Sequence, residues 1–479
     1  IKGGAVADFD VVRGSAATRV NAEGLIEDIS VLSGELVTNG DFSNGSTGWT
    51  ISSGASVGEN KLDINASAFD FFATQTAIVN GLRYKVTLDA VVSSGEILLY
   101  TGVQFASIVS SGTYVFYVTS DSANIRFRSS VSAIVGSISN ISVVEVIDAT
   151  NIPRIDYTTG EGAVLLEPQS TNLIVNSDYL ADFSGGATET FDASVLNPEG
   201  TYGVARVGDL LASVGDRLEV SLTITPSETY TGSLYYKGEG TNIGKTITVN
   251  IKRIGGTYSG SDFKKITLTD NWQRVEATNT FLADNTTAAL LVINDSDSAD
   301  EVLLWGAQFE ALPYATSYIP TSGAIATRLA DSVTGAGDVN TFNSTEGVLY
   351  ADISALVNDA TRRNITISDG TTLNRVVLRY DNASNRIQGF IQVGGSTNGD
   401  MNTVSFSITD NLKIAYKWRA NDFALWVNGT EVGTSTNATS FSAGVLTEVN
   451  LDRGDGAENF FGKVKALAVF NEALTDAEL

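Results

Sequence analysis

The sequence predicts an all-β protein built from serial antiparallel β-sandwiches, on three observations. Apolar and polar residues alternate with period two over short runs. Tyr84, Val86, Leu88 and Ala90 alternate with Lys85, Thr87 and Asp89, and Leu218, Val220, Leu222 and Ile224 with Glu219, Ser221, Thr223 and Thr225. A strand of this pattern buries one face and wets the other, as antiparallel sandwich strands do. Helix signals are nearly absent: 46 of the 479 residues are Gly, and Ser, Thr and Asn fill the gaps between apolar runs. Finally, the chain repeats itself at the scale of a domain.

Taken in order, residues 1–34 carry "DFDVVRGSAATRVNAEGLIE" (8–27) and read as an extended connector. A sandwich is expected at 35–147. It opens on "LVTNGDF" (36–42), where Asn39-Gly40 suits a tight turn, and closes on the alternating strand "NISVVEV" (140–146). The connector resumes over 148–171 within "NIPRIDYTTGEGAVLLEPQSTNLI" (151–174), so the first sandwich is inserted between two halves of one connector laid over module surfaces. A second sandwich at 172–311 repeats the first. "LIVNSDY" (173–179) echoes "LVTNGDF", and "GDRLEVSL" (215–222) echoes "GLRYKVTL" (81–88), at nearly equal offsets of 137 and 134 residues. This second unit closes on "VLLWGAQFE" (302–310). The linker 312–339 repeats the Ala-Thr-Arg of the first connector in "GAIATRLADS" (323–332). The last unit, 340–479, contains "FALWVNGTEV" with a hairpin turn at Asn428-Gly429, and its final "NEALTDAEL" predicts a short helix capped by Thr475 or Asp476.

Composition bounds the chemistry. With 43% hydrophobic and 18% charged residues the chain can bury real cores. It has no His and no Cys, which removes imidazole bases, His-based triads, nearly every catalytic zinc site and any disulfide framework. A formal charge of −25, with basic residues only singly or in pairs, argues against nucleic acid and anionic membranes as partners. No apolar run is long enough to insert into a membrane. The chain starts at Ile1 without a Met or a signal-peptide pattern, and reads as a processed product or a piece of something longer.

Several stretches resemble known families. Residues 36–147, with "LVTNGDF…GW", "GLRYKVTLDA" and "NISVVEV", and residues 172–311, with "NWQRV" and the closing strand, resemble carbohydrate-binding-module-type jelly rolls. Residues 340–479, through "KIAYKWRANDFALWVNGTEV" and "GKVKALAVFNEALTDAEL", resemble the concanavalin A-like, laminin-G-like lectin fold. The connector pieces "RGSAATRVNAEGLIE", "NIPRIDYTTGEGAVLLEPQSTNLI" and "PYATSYIPTSGAIATRLAD" resemble segments of bacteriophage tail-fibre and virion-surface proteins. The resemblance implies two jelly-roll modules plus one concanavalin A-like sandwich on a virion surface. It further implies bacterial surface glycan and other virion proteins as partners, and a homo-oligomer, often a trimer. A head fibre or capsid decoration, or a fragment of a secreted polysaccharide-binding or polysaccharide-degrading bacterial protein, are the competing readings.

Candidate sites follow from residue chemistry. Sugars stack on exposed aromatic faces beside hydrogen-bonding groups. In "FALWVNG", Phe423, Leu425 and Val427 share one face, leaving Trp426 and Asn428 on the other. Tyr235 and Tyr236 are adjacent strand residues, so one of them points outward. Trp49, Trp272 and Trp305 are expected in cores. Calcium favours hard oxygen ligands, which makes Asp41, Asp178, Asp295 and Asp297 candidate metal ligands. The competing reading has Asp41 and Asp178 bonding their own turns and the 294–301 loop simply solvated. No cofactor is required, with a structural Ca²⁺ the one candidate. No catalytic residues are assigned: the Glu-x-Asp-x-x-Glu pattern typical of hydrolases on the concanavalin A-like fold is not found in 340–479.

Overall fold

The computed structural model describes residues 9–28, 30–101, 105–120, 122–148, 150–178, 180–208, 217–254, 262–293, 299–436 and 438–479. These form an all-β chain of three antiparallel sandwiches, with no α-helix among the described residues. In the first sandwich, one sheet orders Phe105–Ile108, Ile97–Tyr100, Asn124–Ser129, Phe71–Thr76 and Thr50–Ile51. The facing sheet orders Gly112–Thr119, Arg83–Ser94, Ile134–Asp148, Lys61–Ala66 and Ala55–Gly58. The alternation read from the sequence holds: Tyr84, Val86, Leu88 and Ala90 are all buried in the core, as is Trp49. The short strand Ser30–Leu32 pairs with the end of Ile134–Asp148, Leu32 opposite Val146 and Ser30 opposite Asp148. Entry to and exit from this sandwich are therefore hydrogen-bonded neighbours.

The second sandwich repeats the first at the level of individual hydrogen bonds. The Leu36 N–H donates to Val143 O and the Leu173 N–H to Phe309 O, at 2.9 and 3.0 Å. The Ile141 N–H donates to Gly40 O and the Ala307 N–H to Ser177 O, at 3.0 and 2.9 Å. In both modules the opening segment clips to the closing strand at the same two places. At the second of these places the first module requires glycine by close approach, because a Cβ on Gly40 would stand 1.8 Å from Ile141 O.

The third sandwich corrects the expected boundaries. Its seven-stranded sheet orders Ile155–Asp156, Ala163–Leu166, Gly462–Phe470, Glu346–Ala355, Leu412–Arg419, Phe423–Val427 and Thr430–Ser435. The first two strands come from the segment read as a surface connector. Val164 and Leu166 pair with Val464 and Gly462, covering an edge that would otherwise offer unpaired backbone groups. Ser332–Thr334, from the expected linker, pairs with Asp10–Val12, and Val333 and Ala336 enter the third core. The expected C-terminal helix is a single turn: the Glu478 carboxylate accepts from the Thr475 N–H at 2.9 Å and hydroxyl at 2.7 Å, and the Glu478 and Leu479 N–H groups donate to Thr475 O at 2.9 and 3.3 Å.

The connector motifs converge on one buried ionic cluster. Arg13 pairs with Asp331 at 2.9 Å, Arg154 with Glu167 at 2.7 Å and with Asp331, and Arg328 with Glu167 at 2.8 Å; all five side chains are at most 3% exposed. The Ser317 N–H and hydroxyl both donate to Glu167 at 2.7 Å, and the Glu167 N–H donates to Asp331 at 2.9 Å. Glu310, also buried, joins through Thr316, which accepts from Arg328 at 3.1 Å. Burial opposes ionisation of Glu167, but Arg328 and Arg154 outweigh it and hold its carboxyl down at about 2. Segments up to 318 residues apart are thereby locked in one register.

A second polar junction joins the first two sandwiches. Arg83 of the first pairs with Asp28 of the hairpin formed by Thr18–Val20 and Ile26–Asp28, while Glu199 and Asp178 of the second lie nearby. Tyr202 packs on Tyr114 and Phe116 across the same boundary, with ring centroids 5.7 and 6.4 Å apart. Burial, reinforced by the charges of Asp28 and Asp178, pushes the Glu199 carboxyl up to about 8 against the pull of Arg83.

Candidate functional site

Phe423, Leu425 and Val427 are wholly buried in the third core, so Trp426 stands on the outer face of its sheet, as its alternation requires. The Trp426 ring lines a hollow of about 360 Å³ with Val348, Tyr350, Lys413 and Phe470. The C-terminal turn reaches over it through Leu474 and Leu479. Its indole N–H is buried without an acceptor. Asn428 does not join it. With φ at 52° it forms the hairpin turn with Gly429, and its side-chain oxygen accepts the Lys413 N–H at 2.9 Å. Its side chain is thus engaged in holding the turn.

Tyr235 and Tyr236 divide as two neighbours on a strand must. Tyr236 points into the second core and its hydroxyl donates to Gln273 at 2.9 Å, so it is no binding surface. Tyr235 points outward, packs edge-on against Trp305 at 5.7 Å and lies under the Arg274 guanidinium at 5.4 Å. Together with Arg19, Asp156, Tyr157 and Lys463 it lines a cleft of about 420 Å³ between the second and third sandwiches. Of the Trp residues expected in cores here, Trp305 is buried as expected, in a small core cluster on the outer side of its sheet with Ile26, Val204 and Tyr318. Trp272 is only partly buried against that outer cluster, its indole N–H donating to Leu196 O at 2.8 Å. Ile26 of the first connector and Tyr318 of the 312–339 segment supply the apolar cover on that outer side.

The described acidic candidates, Asp41 and Asp178, do not converge. Asp41 is exposed and accepts from the Ser43 N–H at 3.2 Å and hydroxyl at 3.0 Å, bonding its own turn. Asp178 accepts from the Tyr318 hydroxyl, and burial raises its pKa. Despite their matching sequence positions the two therefore sit in unlike surroundings. Asp295 and Asp297 lie outside the described residues. Among the described residues no group of three or more carboxylates is arranged to hold a metal ion.

Sequence reasoning missed a further face. On the outer side of the first module's five-stranded sheet Phe71 is 38% exposed; Phe69, in the turn before that strand, is 58% exposed at a φ of 62°. Tyr100 meets Phe71 edge-on at 5.6 Å. Arg126 and Arg128 both stand over the Phe71 ring, at 5.6 Å each, and Arg128 also over Tyr100 at 5.4 Å. In Asn124–Ser129 the alternation is clear: Ile125 and Phe127 are buried, and Arg126 and Arg128 point away from the core. The partner strand hides its half of the face. A bulge opposite Phe127 and Arg128 rephases Phe71–Thr76, so Phe72 and Ala73 are both buried and period two fails. The readable signal was the Arg-x-Arg spacing on a strand of an acidic chain.

No protein-family model matches the chain, and no curated protein matches it. Among solved structures it is similar to the enzymatically active domain of bacteriophage CBA120 tailspike protein 4, at 12% identity and a TM-score of 0.23, covering 29% of this chain and 21% of that one. It is also similar to the CBM22-1–CBM22-2 tandem domain of Paenibacillus barcinonensis Xyn10C, at 10% identity and a TM-score of 0.23, over 58% of this chain and 98% of that one. The xylan-binding CBM22-1 domain of the same protein aligns at 13% identity and a TM-score of 0.24, covering 30% of this chain and 94% of that one. The fold rests on the sheets described above and not on these likenesses.

Proposed function

We propose that this chain is a non-catalytic phage virion surface protein, a tail fibre or receptor-binding component, whose sandwiches present surfaces to bacterial glycans. The observation that carries the binding reading is the Phe71–Tyr100 pair on an open sheet face, flanked by two guanidinium groups. Aromatic faces beside hydrogen-bond donors suit the C–H faces and hydroxyls of sugars. The virion context rests on the connector motifs, which resemble phage surface proteins. Weak single sites become effective when many copies act together, as in a trimeric fibre. The reading requires no cofactor. A head fibre or capsid decoration is the second reading, favoured by the buried ionic cluster, which spends the connector motifs on architecture. A glycan array on this chain and on its Phe71→Ala/Tyr100→Ala variant is the test. Signal that the double variant loses supports attachment through this face, and silence across capsule and lipopolysaccharide glycans leaves the structural reading.

A further inference from the structure

The described arginines are almost all engaged. Arg206 alone pairs with Asp192, Glu239 and Glu301, and Arg154 with Glu167 and Asp331. Those without a carboxylate partner, such as Arg274 and Arg375, still donate hydrogen bonds: Arg274 to Thr316 O and Ser233 Oγ, Arg375 to Gln392 Oε1 and Arg453 O. That is the expected state of a chain with 55 acidic and 30 basic residues. Arg126 and Arg128 are the exceptions among the described residues, touching the protein through aromatic rings alone. The Arg128 Nε–H is, in addition, buried with no acceptor, a donor left unsatisfied.

The two guanidiniums share one face of one strand, Arg126 opposite Thr74 and Tyr100, and Arg128 opposite Phe71 and Leu98. Cation–π attraction holds a guanidinium over a ring without using its N–H groups as hydrogen-bond donors, which leaves donors for a planar oxyanion. The nearby Glu96 carboxylate does not compete, because it accepts from the Ser107 hydroxyl within the same sheet. Resting on the glycan-binding reading above, we infer that this face recognises an acidic sugar. Arg126 and Arg128 take its carboxylate, and Phe71 and Tyr100 the C–H face of the ring. The protein's charge of −25 then selects the pattern of acid along the glycan. A chain ionised at every residue is repelled beyond the two arginines, whereas one with acidic residues spaced by neutral sugars is not.

The test compares two probes against the full chain by calorimetry. One is an oligosaccharide with a single glucuronate flanked by neutral sugars, and the other is the same oligosaccharide with that carboxyl reduced to the alcohol. The expected result is at least tenfold tighter binding of the acidic probe, shrinking with added salt. Arg126→Gln/Arg128→Gln is expected to erase that preference while retaining weak binding of the reduced probe. Equal affinity for both probes, a preference that survives in the double variant, or tighter binding of a uniformly charged polyuronate, a sulfated analogue or single-stranded nucleic acid overturns the inference. Binding of the reduced probe without a charge preference leaves glycan recognition standing and removes only the acidic specificity. Failure of every sugar to bind removes both. The reduced probe needs no variant, so the comparison survives a substitution that misfolds.

Discussion

Arg154 and Glu167, only thirteen residues apart, meet at 2.7 Å with side chains no more than 3% exposed, at the point where all three connector motifs cross. Three guanidiniums contact two carboxylates there, so the members are unequal. Glu167→Gln leaves Arg13 and Arg154 on Asp331 and takes from Arg328 the carboxylate it pairs with, and is expected to cost about 3–5 kcal/mol in denaturant unfolding. Arg154→Met leaves the direct pairs balanced and is expected to cost less. The reverse order would mean that the cluster acts through packing and not through charge.

The same carboxylate predicts an acid limit. Its pKa of about 2 in the fold lies below the ordinary value of 4.5, so its contribution is complete above pH 4.5 and is lost as pH falls towards 2. The stability gap between the native chain and Glu167→Gln should close over that interval. Melting temperatures from pH 6 to pH 2 check this, and a gap that stays constant refutes it.

Glu199 predicts the opposite slope. Its pKa of about 8 exceeds the ordinary 4.5, so its contribution is complete below pH 4.5 and is lost as pH rises through about 8. Asp28, Asp178 and Arg83 are the charges that face it. Glu199→Gln should flatten the dependence of the melting temperature between pH 6 and 9 and be the more stable form at pH 9. A native chain that shows no loss over that range counts against the assignment.

The repeated hydrogen bonds predict unequal tolerance at matched positions. Gly40→Ala places a methyl 1.8 Å from Ile141 O, and relieving that clash should cost about 3 kcal/mol in the first module. Ser177→Ala needs no such movement. It removes the hydroxyl that accepts from the Thr321 N–H and bonds the Tyr318 hydroxyl, at about 1–2 kcal/mol. Thermal unfolding of both variants distinguishes them.

Much of this fold was legible because its signals are local. Alternation placed Tyr84, Val86 and Leu88 inward and Trp426 outward, and the echo of Leu36 at Leu173 reported a shared clip to the closing strand. What escaped is non-local. Ala163–Leu166 is four residues long and finds its partner strand at Gly462–Phe470, beyond the reach of any periodicity. Arg13, Arg154 and Arg328 look like surface residues until their carboxylates, up to 318 residues away in the chain, close around them. The Phe71 face was concealed by a bulge, which breaks the period on which a strand's sides are read.

The pairing of Ser30–Leu32 with the end of Ile134–Asp148 has a consequence for how such chains diversify. Excising the intervening residues leaves two ends on adjacent strands, about 5 Å apart. A turn of a few residues can bridge that gap, and so can an unrelated domain whose termini lie side by side. The frame made by the other two sandwiches then serves as a socket, and the inserted sandwich, with its aromatic and arginine face, as an exchangeable cassette.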